Sequence, residues 1–267
     1  MAERSLITLQ DVDVRYRTRD GSVTALQQIS MEVPGRSFVS VVGPSGCGKT
    51  TLLKIVSGLL RPSSGRVLLD GQPLEAARLE GQFGFVFQRP LLLPWRTALE
   101  NVALSSEIVH KTRPRGERLA EARRWLEIVG LTGFEDRHPH ELSGGMQQRV
   151  SLCRALAFRP RILLMDEPFA ALDEITREAM QDELLKMWAH LENTILFITH
   201  SISEAVLLSE RVVILSPRPG RVEEIIDVPF PRPRSDSLRG QREFTELVQH
   251  IRSKLRPAET LAGGGAR

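Results

Sequence analysis

Apolar and polar positions change rhythm several times along this chain. Between residues 6 and 33 they alternate in twos, through Leu6, Thr8, Val12 and Val14 and again from Val23 to Val33. That period predicts antiparallel hairpins with a turn near Asp20 and Gly21. Residues 37–42 read as a short apolar, β-branched strand, followed by a loop over 43–48 and a helix from Thr50 to about Leu59. Arg61-Pro62-Ser63-Ser64-Gly65 closes that helix, and 67–69 and 83–87 read as further strands. From about Pro94 to Glu141 apolar residues recur at three- and four-residue spacing, notably over 98–109 and 118–129. A third helix begins after Ser143-Gly144-Gly145 and runs to about Phe158, so residues 94–158 read as an inserted helical subdomain. The runs 162–165, 194–198 and 211–215 are continuously apolar and alternate with helices over 174–191 and 202–208. Such strands belong in a parallel sheet covered on both faces, which makes the class α/β.

The pattern changes after Pro217. Pro217-Arg218-Pro219-Gly220 is a turn, 222–228 a final strand, and 229–239 a Pro- and Arg-rich extended linker. Residues 242–255 form an amphipathic helix with Phe244, Leu247, Val248, Ile251 and Leu255 on one face. That face packs back on the domain or pairs with its own copy. Gly263-Gly264-Gly265 marks a flexible end. The expected organisation is one domain over 5–228, followed by linker, helix and tail over 229–267.

Composition narrows the function classes. The 267 residues are 41% hydrophobic and 26% charged, ordinary for a globular protein. Thirty-six basic against 33 acidic residues leave a net charge of +3, too little to imply nucleic-acid binding. Cys47 and Cys153 are the two cysteines, which excludes a zinc ribbon or finger and suits a reducing compartment. No secretory signal is expected at the N-terminus, and no apolar run approaches the ~20 residues needed to span a bilayer. A transport role would require the pore to lie on another chain.

Two segments carry chemistry on their own. Gly43-Pro44-Ser45-Gly46-Cys47-Gly48-Lys49-Thr50 fits the phosphate-binding pattern G-x-x-x-x-G-K-[ST], and the strand before it and helix after it supply the required context. Backbone N–H groups and the helix dipole would bind phosphates, Lys49 would reach the β- and γ-phosphates, and Thr50 would offer its hydroxyl to Mg²⁺. The strand 162–165 ends in Asp166 and Glu167. Asp166 fits a metal-side carboxylate and Glu167 a group that polarises water, although strand ends often carry solvated acids.

The most specific segment is Leu142-Ser143-Gly144-Gly145-Met146-Gln147-Gln148-Arg149. Ser143 reads as a helix cap, and a capped helix start is itself an anion site. With the phosphate loop upstream, the chain resembles the ATP-binding cassette family over about residues 5–225. The resemblance implies a P-loop NTPase core with a parallel sheet, an N-terminal antiparallel β subdomain and an inserted α-helical subdomain.

It also implies the remaining roles. ATP would contact Gly43, Pro44, Ser45, Gly46, Cys47, Gly48, Lys49, Thr50 and Thr51, with Tyr16 stacked on the adenine. Ser143, Gly144, Gly145 and Gln147 would meet the γ-phosphate of ATP held by a second copy, and Asp173 would belong to a dimer-contact loop. Gln88 matches the lid glutamine that touches Mg²⁺ and water, and His200 the switch histidine on the γ-phosphate. Thr50, Gln88 and Asp166 would hold Mg²⁺, and the catalytic set would be Glu167, His200, Lys49 and Gln88. Tyr16 would otherwise be a strand aromatic, and a lone histidine is more often structural. Alkylating Cys47 is expected to block nucleotide binding by bulk.

A soluble cassette of DNA repair or translation is the competing class. One cassette, two cysteines and a short helical insert favour transport, and a phosphate-loop kinase would lack the LSGGMQQR segment. Residues 87–102 and 215–222 look like bacterial importers of nitrate, sulfonate, taurine and related anions. The implied partners are a second copy, a transmembrane permease dimer and, indirectly, a solute-binding protein, with the chain peripheral on the cytoplasmic face of the inner membrane. Trp95 either grips the permease or belongs to the helical core.

Overall fold

The computed structural model describes residues 5–19, 21–75, 77, 81–188, 191 and 193–255. Asp20 and the Gly263-Gly264-Gly265 end lie outside the described residues. The alternating N-terminal pattern forms two strands, β1 (Ser5–Thr18) and β2 (Gly21–Pro34), paired antiparallel with Tyr16 opposite Val23. Bulges at positive-φ Asp11 and Gln28 interrupt the register, which is why the apolar alternation slips along both strands. β1 also pairs with β4 (Ser64–Leu69), which is extended by β5 (Gln72–Pro73).

The second sheet contains β3 (Phe38–Val42), β6 (Phe83–Val86), β7 (Ile162–Asp166), β8 (Thr194–Ile198), β9 (Arg211–Leu215) and β10 (Val222–Asp227). Its order is β10-β9-β3-β8-β7-β6, parallel from β9 to β6 with β10 antiparallel at one edge. Both faces of β3, β7, β8 and β9 are buried. Phe38, Met165 and Phe197 face one apolar cluster with the helical layer, while Val41, Leu164 and Ile198 face another with the antiparallel sheet. Burial on both faces explains the unbroken apolar runs.

Seven α-helices complete the described residues: α1 (Lys49–Val56), α2 (Ala98–Val109), α3 (Arg115–Ile128), α4 (Gly144–Leu156), α5 (Glu174–Trp188), α6 (Ile202–Leu208) and α7 (Arg242–Leu255). Thr97 and Glu100 make a reciprocal capping box at the start of α2. α1 ends earlier than the expected Leu59, because the Leu60 N–H turns back to Lys54 O at 3.0 Å. β4 begins at Ser64 rather than Val67. Its polar start pairs through the backbone, Asp13 opposite Ser64 and Gln10 opposite Arg66, which side-chain hydropathy does not register. α3 begins at Arg115, three residues before the expected start, in a polar turn on the surface.

The segment 229–239 differs from the extended linker expected of its composition. Arg234 donates to Phe230 O, Val206 O, Leu207 O and Ser209 O, and burial pulls its guanidinium down to about 10. Arg232 donates to Glu210 Oε1 and Leu208 O, and stacks 4.0 Å from the centre of the Trp188 ring. A short 3₁₀ turn, Asp236–Gly240, follows. Beyond it, α7 buries Phe244 and Ile251 in the same cluster as the helical layer. Its apolar face is therefore packed on its own chain.

Candidate active site

Parallel strands align their C-terminal ends. The order β3-β8-β7-β6 therefore places four loops side by side: the phosphate loop, the turn at His200, the Asp166-Glu167 pair and the loop at Gln88. In the phosphate loop, Gly48 caps α1 at φ 106°, and a Cβ there would meet Leu26 Cδ2 at 2.5 Å. Both the conformation and the close approach require glycine. Lys49 is 7% exposed, and its ammonium donates to Gly43 O at 2.9 Å and Pro44 O at 3.2 Å. The loop carbonyls thus fold the lysine back onto the loop. Cys47 is 1% exposed, and burial raises its thiol pKa. An adduct there has no free space to occupy.

Thr50 Oγ1 donates to Asp166 Oδ1 at 3.3 Å. Burial pushes the Asp166 carboxyl above its usual range, the Thr50 bond opposes that shift, and the neighbouring Glu167 charge adds to it. Glu167 adopts a left-handed φ of 47°, unusual for a residue with a side chain, and its N–H is held by Ile198 O at 2.9 Å. That turn brings Glu167 Oε2 to 3.3 Å from His200 Nδ1. Tyr16 is partly exposed at the rim, its hydroxyl 3.2 Å from Thr51 Oγ1. Tyr16, the phosphate loop, Asp166, Glu167 and His200 therefore converge in one place.

Gln88 is exposed at the end of β6, in a loop fixed from behind by α4. Gln148 donates to Phe87 O at 3.1 Å, and Arg154 donates to Pro90 O at 2.7 Å and Leu91 O at 2.8 Å. The Asn101 amide adds bonds to Leu93, Arg96 and Thr97. Trp95 is 70% exposed on this loop, beside exposed Leu91. That excludes the helical core for Trp95.

Ser143 caps α4, accepting from the Met146 N–H at 3.3 Å. Gln147 donates to Pro139 O and Leu142 O, so its side chain shapes the turn before the helix. Asp173 accepts from the Thr176 N–H at 3.0 Å, and that bond lowers its pKa. Among the described residues no hydrogen bond joins Ser143, Gly144, Gly145, Gln147 or Asp173 to the phosphate loop of their own chain.

Sequence reasoning missed a buried carboxylate beside this site. Glu204 accepts from Thr199 Oγ1 at 2.5 Å and from Gln181 Nε2 at 3.0 Å, and burial raises its pKa. Arg154 carries no local signal either, since Pro90 and Leu91 lie more than sixty positions from it. Hydrogen-bonded partners tens of residues apart leave no local spacing to read.

A family model described as ABC transporter matches residues 26–170. A taurine import ATP-binding protein of Rhizobium johnstonii is 43% identical over 262 residues, 96% of this chain and 98% of that one. A bicarbonate transport ATP-binding protein of Synechocystis sp. is 43% identical over 231 residues, 86% of this chain and 81% of that one. Among solved structures, a dimeric post-hydrolysis state of an ATP-binding cassette bound to ADP and Pi is similar at a TM-score of 0.75. It is 33% identical, and the match covers 84% of this chain and all of that one.

Proposed function

This chain belongs to the ABC transporter family, and from that premise we propose that it is the ATP-hydrolysing subunit of a bacterial importer for a small anion of the sulfonate or taurine kind. The observation that carries the hydrolytic reading is the 3.3 Å bond from Thr50 Oγ1 to Asp166 Oδ1, with Glu167 next along the backbone. A hydroxyl and a carboxylate oxygen so placed are hard donors that suit Mg²⁺, with Gln88 as a third from the neighbouring strand end. Mg²⁺ held there would neutralise charge on the β- and γ-phosphates.

This chain's own groups do the rest. Tyr16 stacks on the adenine, and Lys49 leaves Gly43 O and Pro44 O for phosphate oxygens. Glu167 orients the attacking water and takes its proton, while His200 donates to the γ-phosphoryl oxygens. Two copies associate head to tail, so that Ser143, Gly144, Gly145 and Gln147 of one copy face the ATP of the other. A solved cassette that is dimeric with ADP and Pi bound, and 33% identical to this chain, supports action in trans.

Among the described residues no helix is long and apolar enough to cross a membrane. A separate permease dimer is therefore the proposed channel, and the chain lies peripherally on the cytoplasmic face of the inner membrane. The exposed loop carrying Gln88, Leu91 and Trp95 is the surface the permease would grip, since an exposed aromatic beside apolar residues suits an interface. A solute-binding protein and the permease choose the solute. The taurine and bicarbonate relatives are equally identical to this chain, as expected of a subunit that never touches the solute. The test is uptake of radiolabelled taurine, alkanesulfonates and bicarbonate into vesicles carrying the chain with its permease and solute-binding protein. ATP-dependent uptake of one sulfonate, lost in Glu167→Gln, is expected; uptake of bicarbonate alone would overturn the sulfonate assignment.

A further inference from the structure

His200 stands at the apex of a turn whose shape is set by its two neighbours. The Thr199 N–H donates to Val41 O at 3.3 Å, and the Ser201 N–H donates to Thr199 Oγ1 at 2.9 Å. The Thr199 hydroxyl then donates to Glu204 Oε2 at 2.5 Å. Glu204 is 6% exposed, and its other oxygen accepts from Gln181 Nε2 at 3.0 Å. Gln181 is 1% exposed on α5. Its carbonyl end accepts from Arg239 Nη2, while Arg239 also donates to Ser203 Oγ and Asp236 Oδ1, each at 2.6 Å.

The polarity of this chain of bonds is determined at both ends. A guanidinium only donates, and a carboxylate only accepts. Arg239 therefore holds the Gln181 oxygen toward itself and the Gln181 NH₂ toward Glu204. Without the guanidinium the buried amide oxygen loses its donor, and the bond to Glu204 alone is left to hold the amide in place. A second arm leaves the same carboxylate. Arg177 Nε lies 3.8 Å from Glu204 Oε1 and donates to Phe169 O at 3.3 Å, and its Nη2 donates to Leu172 O at 2.6 Å. Those carbonyls belong to the loop that ends at Asp173. Glu204 thus ties the His200 turn, the Asp173 loop and the C-terminal segment together.

We infer that Arg239 is a positioning residue for ATP hydrolysis: by orienting the Gln181 amide against Glu204 it holds the turn that presents His200, so the seating of residues 229–255 sets the turnover rate. The inference rests on the proposed contact of His200 with the γ-phosphate. Arg239 touches neither nucleotide nor water in this scheme and acts through Gln181, Glu204 and Thr199.

The experiment is steady-state ATPase of the full-length chain with Mg-ATP, run well below the lowest melting midpoint of the set. The variants are Arg239→Ala, Arg239→Lys, Gln181→Ala, the Arg239→Ala/Gln181→Ala double and His200→Ala. Arg239→Ala is expected to lower kcat roughly three- to tenfold with KM for ATP unchanged, because the group acts on chemistry rather than binding. Arg239→Lys should recover part of the loss, since an ammonium can still donate to the Gln181 oxygen. The double variant should be no slower than the slower single, the mark of one shared path. Unchanged kcat in Arg239→Ala, or losses that multiply in the double, would overturn the inference. If Arg239→Ala melts within the assay range, Gln181→Ala and Arg239→Lys carry the test, and unchanged kcat in both overturns it. Full turnover in His200→Ala would instead overturn the reading on which the inference rests.

Discussion

Glu167 Oε2 and His200 Nδ1 are 3.3 Å apart across the ends of two adjacent parallel strands, β7 and β8. Neither residue reaches the other by local geometry alone. Glu167 turns back through a left-handed backbone held by Ile198 O, and His200 is presented by the turn between Thr199 and Ser201. A carboxylate that can take a proton and an imidazole that can give a hydrogen bond are thereby paired before nucleotide arrives.

Tyr16 provides the first prediction. Its ring is partly exposed at the rim, and its hydroxyl bonds with Thr51. Tyr16→Ala should weaken Mg-ATP binding about tenfold, the scale of one lost aromatic stack. Tyr16→Trp should bind nearly as well as the parent. Calorimetric titration checks both, and equal affinity in all three proteins would remove Tyr16 from the nucleotide site.

Asp166 sets a pH dependence. Burial raises its carboxyl pKa in the folded chain, so the native state holds this proton more tightly than the unfolded state. The stabilising contribution is complete below the unfolded pKa and is lost as pH rises through the folded pKa. At neutral pH the ionised carboxylate is thus a cost to the nucleotide-free fold. Asp166→Asn should raise the melting midpoint of the nucleotide-free chain at pH 7 while abolishing hydrolysis. Melting curves at pH 7 and at acid pH test the sign, with the gain of the variant shrinking toward acid.

Much of this site is legible in the sequence because its chemistry lies in residue types at fixed spacing. Lys49 and Thr50 follow Gly48, and Asp166 and Glu167 end an apolar strand; the structure brings all four together. Other features carry no such mark. β4 starts on Ser64-Gly65-Arg66, whose ladder bonds are backbone bonds. The segment 229–239 has the composition of a linker, yet the guanidinium groups of Arg232 and Arg234 bond to carbonyls around the end of α6, and composition does not report that arrangement. Glu204 is buried because Thr199 and Gln181 satisfy it, and Gln181 lies 23 positions away. Trp95 is ambiguous by residue type and is decided by its exposure.

Arg154 offers a test of the loop proposed to meet the permease. Its guanidinium bonds with Pro90 O and Leu91 O, and burial lowers its pKa. Arg154→Ala should cost about 0.5–1.5 kcal/mol, because water reaches the two carbonyls once the guanidinium is gone. Amide exchange across residues 88–96 should quicken while Mg-ATP affinity stays within about twofold, a difference below 0.5 kcal/mol. Unchanged exchange in that loop would mean that Asn101 and Gln148 suffice to hold it.

In the proposed mechanism two copies enclose ATP between the phosphate loop of one and the Ser143 segment of the other, with Glu167 driving hydrolysis. Sedimentation of wild type and Glu167→Gln with Mg-ATP tests it most directly. An ATP-dependent shift from monomer to dimer is expected, strongest in Glu167→Gln, whose hydrolysis should fall on the order of a hundredfold or more for loss of a general base. A Glu167→Gln protein that binds ATP, remains monomeric and turns over at the parent rate would contradict it.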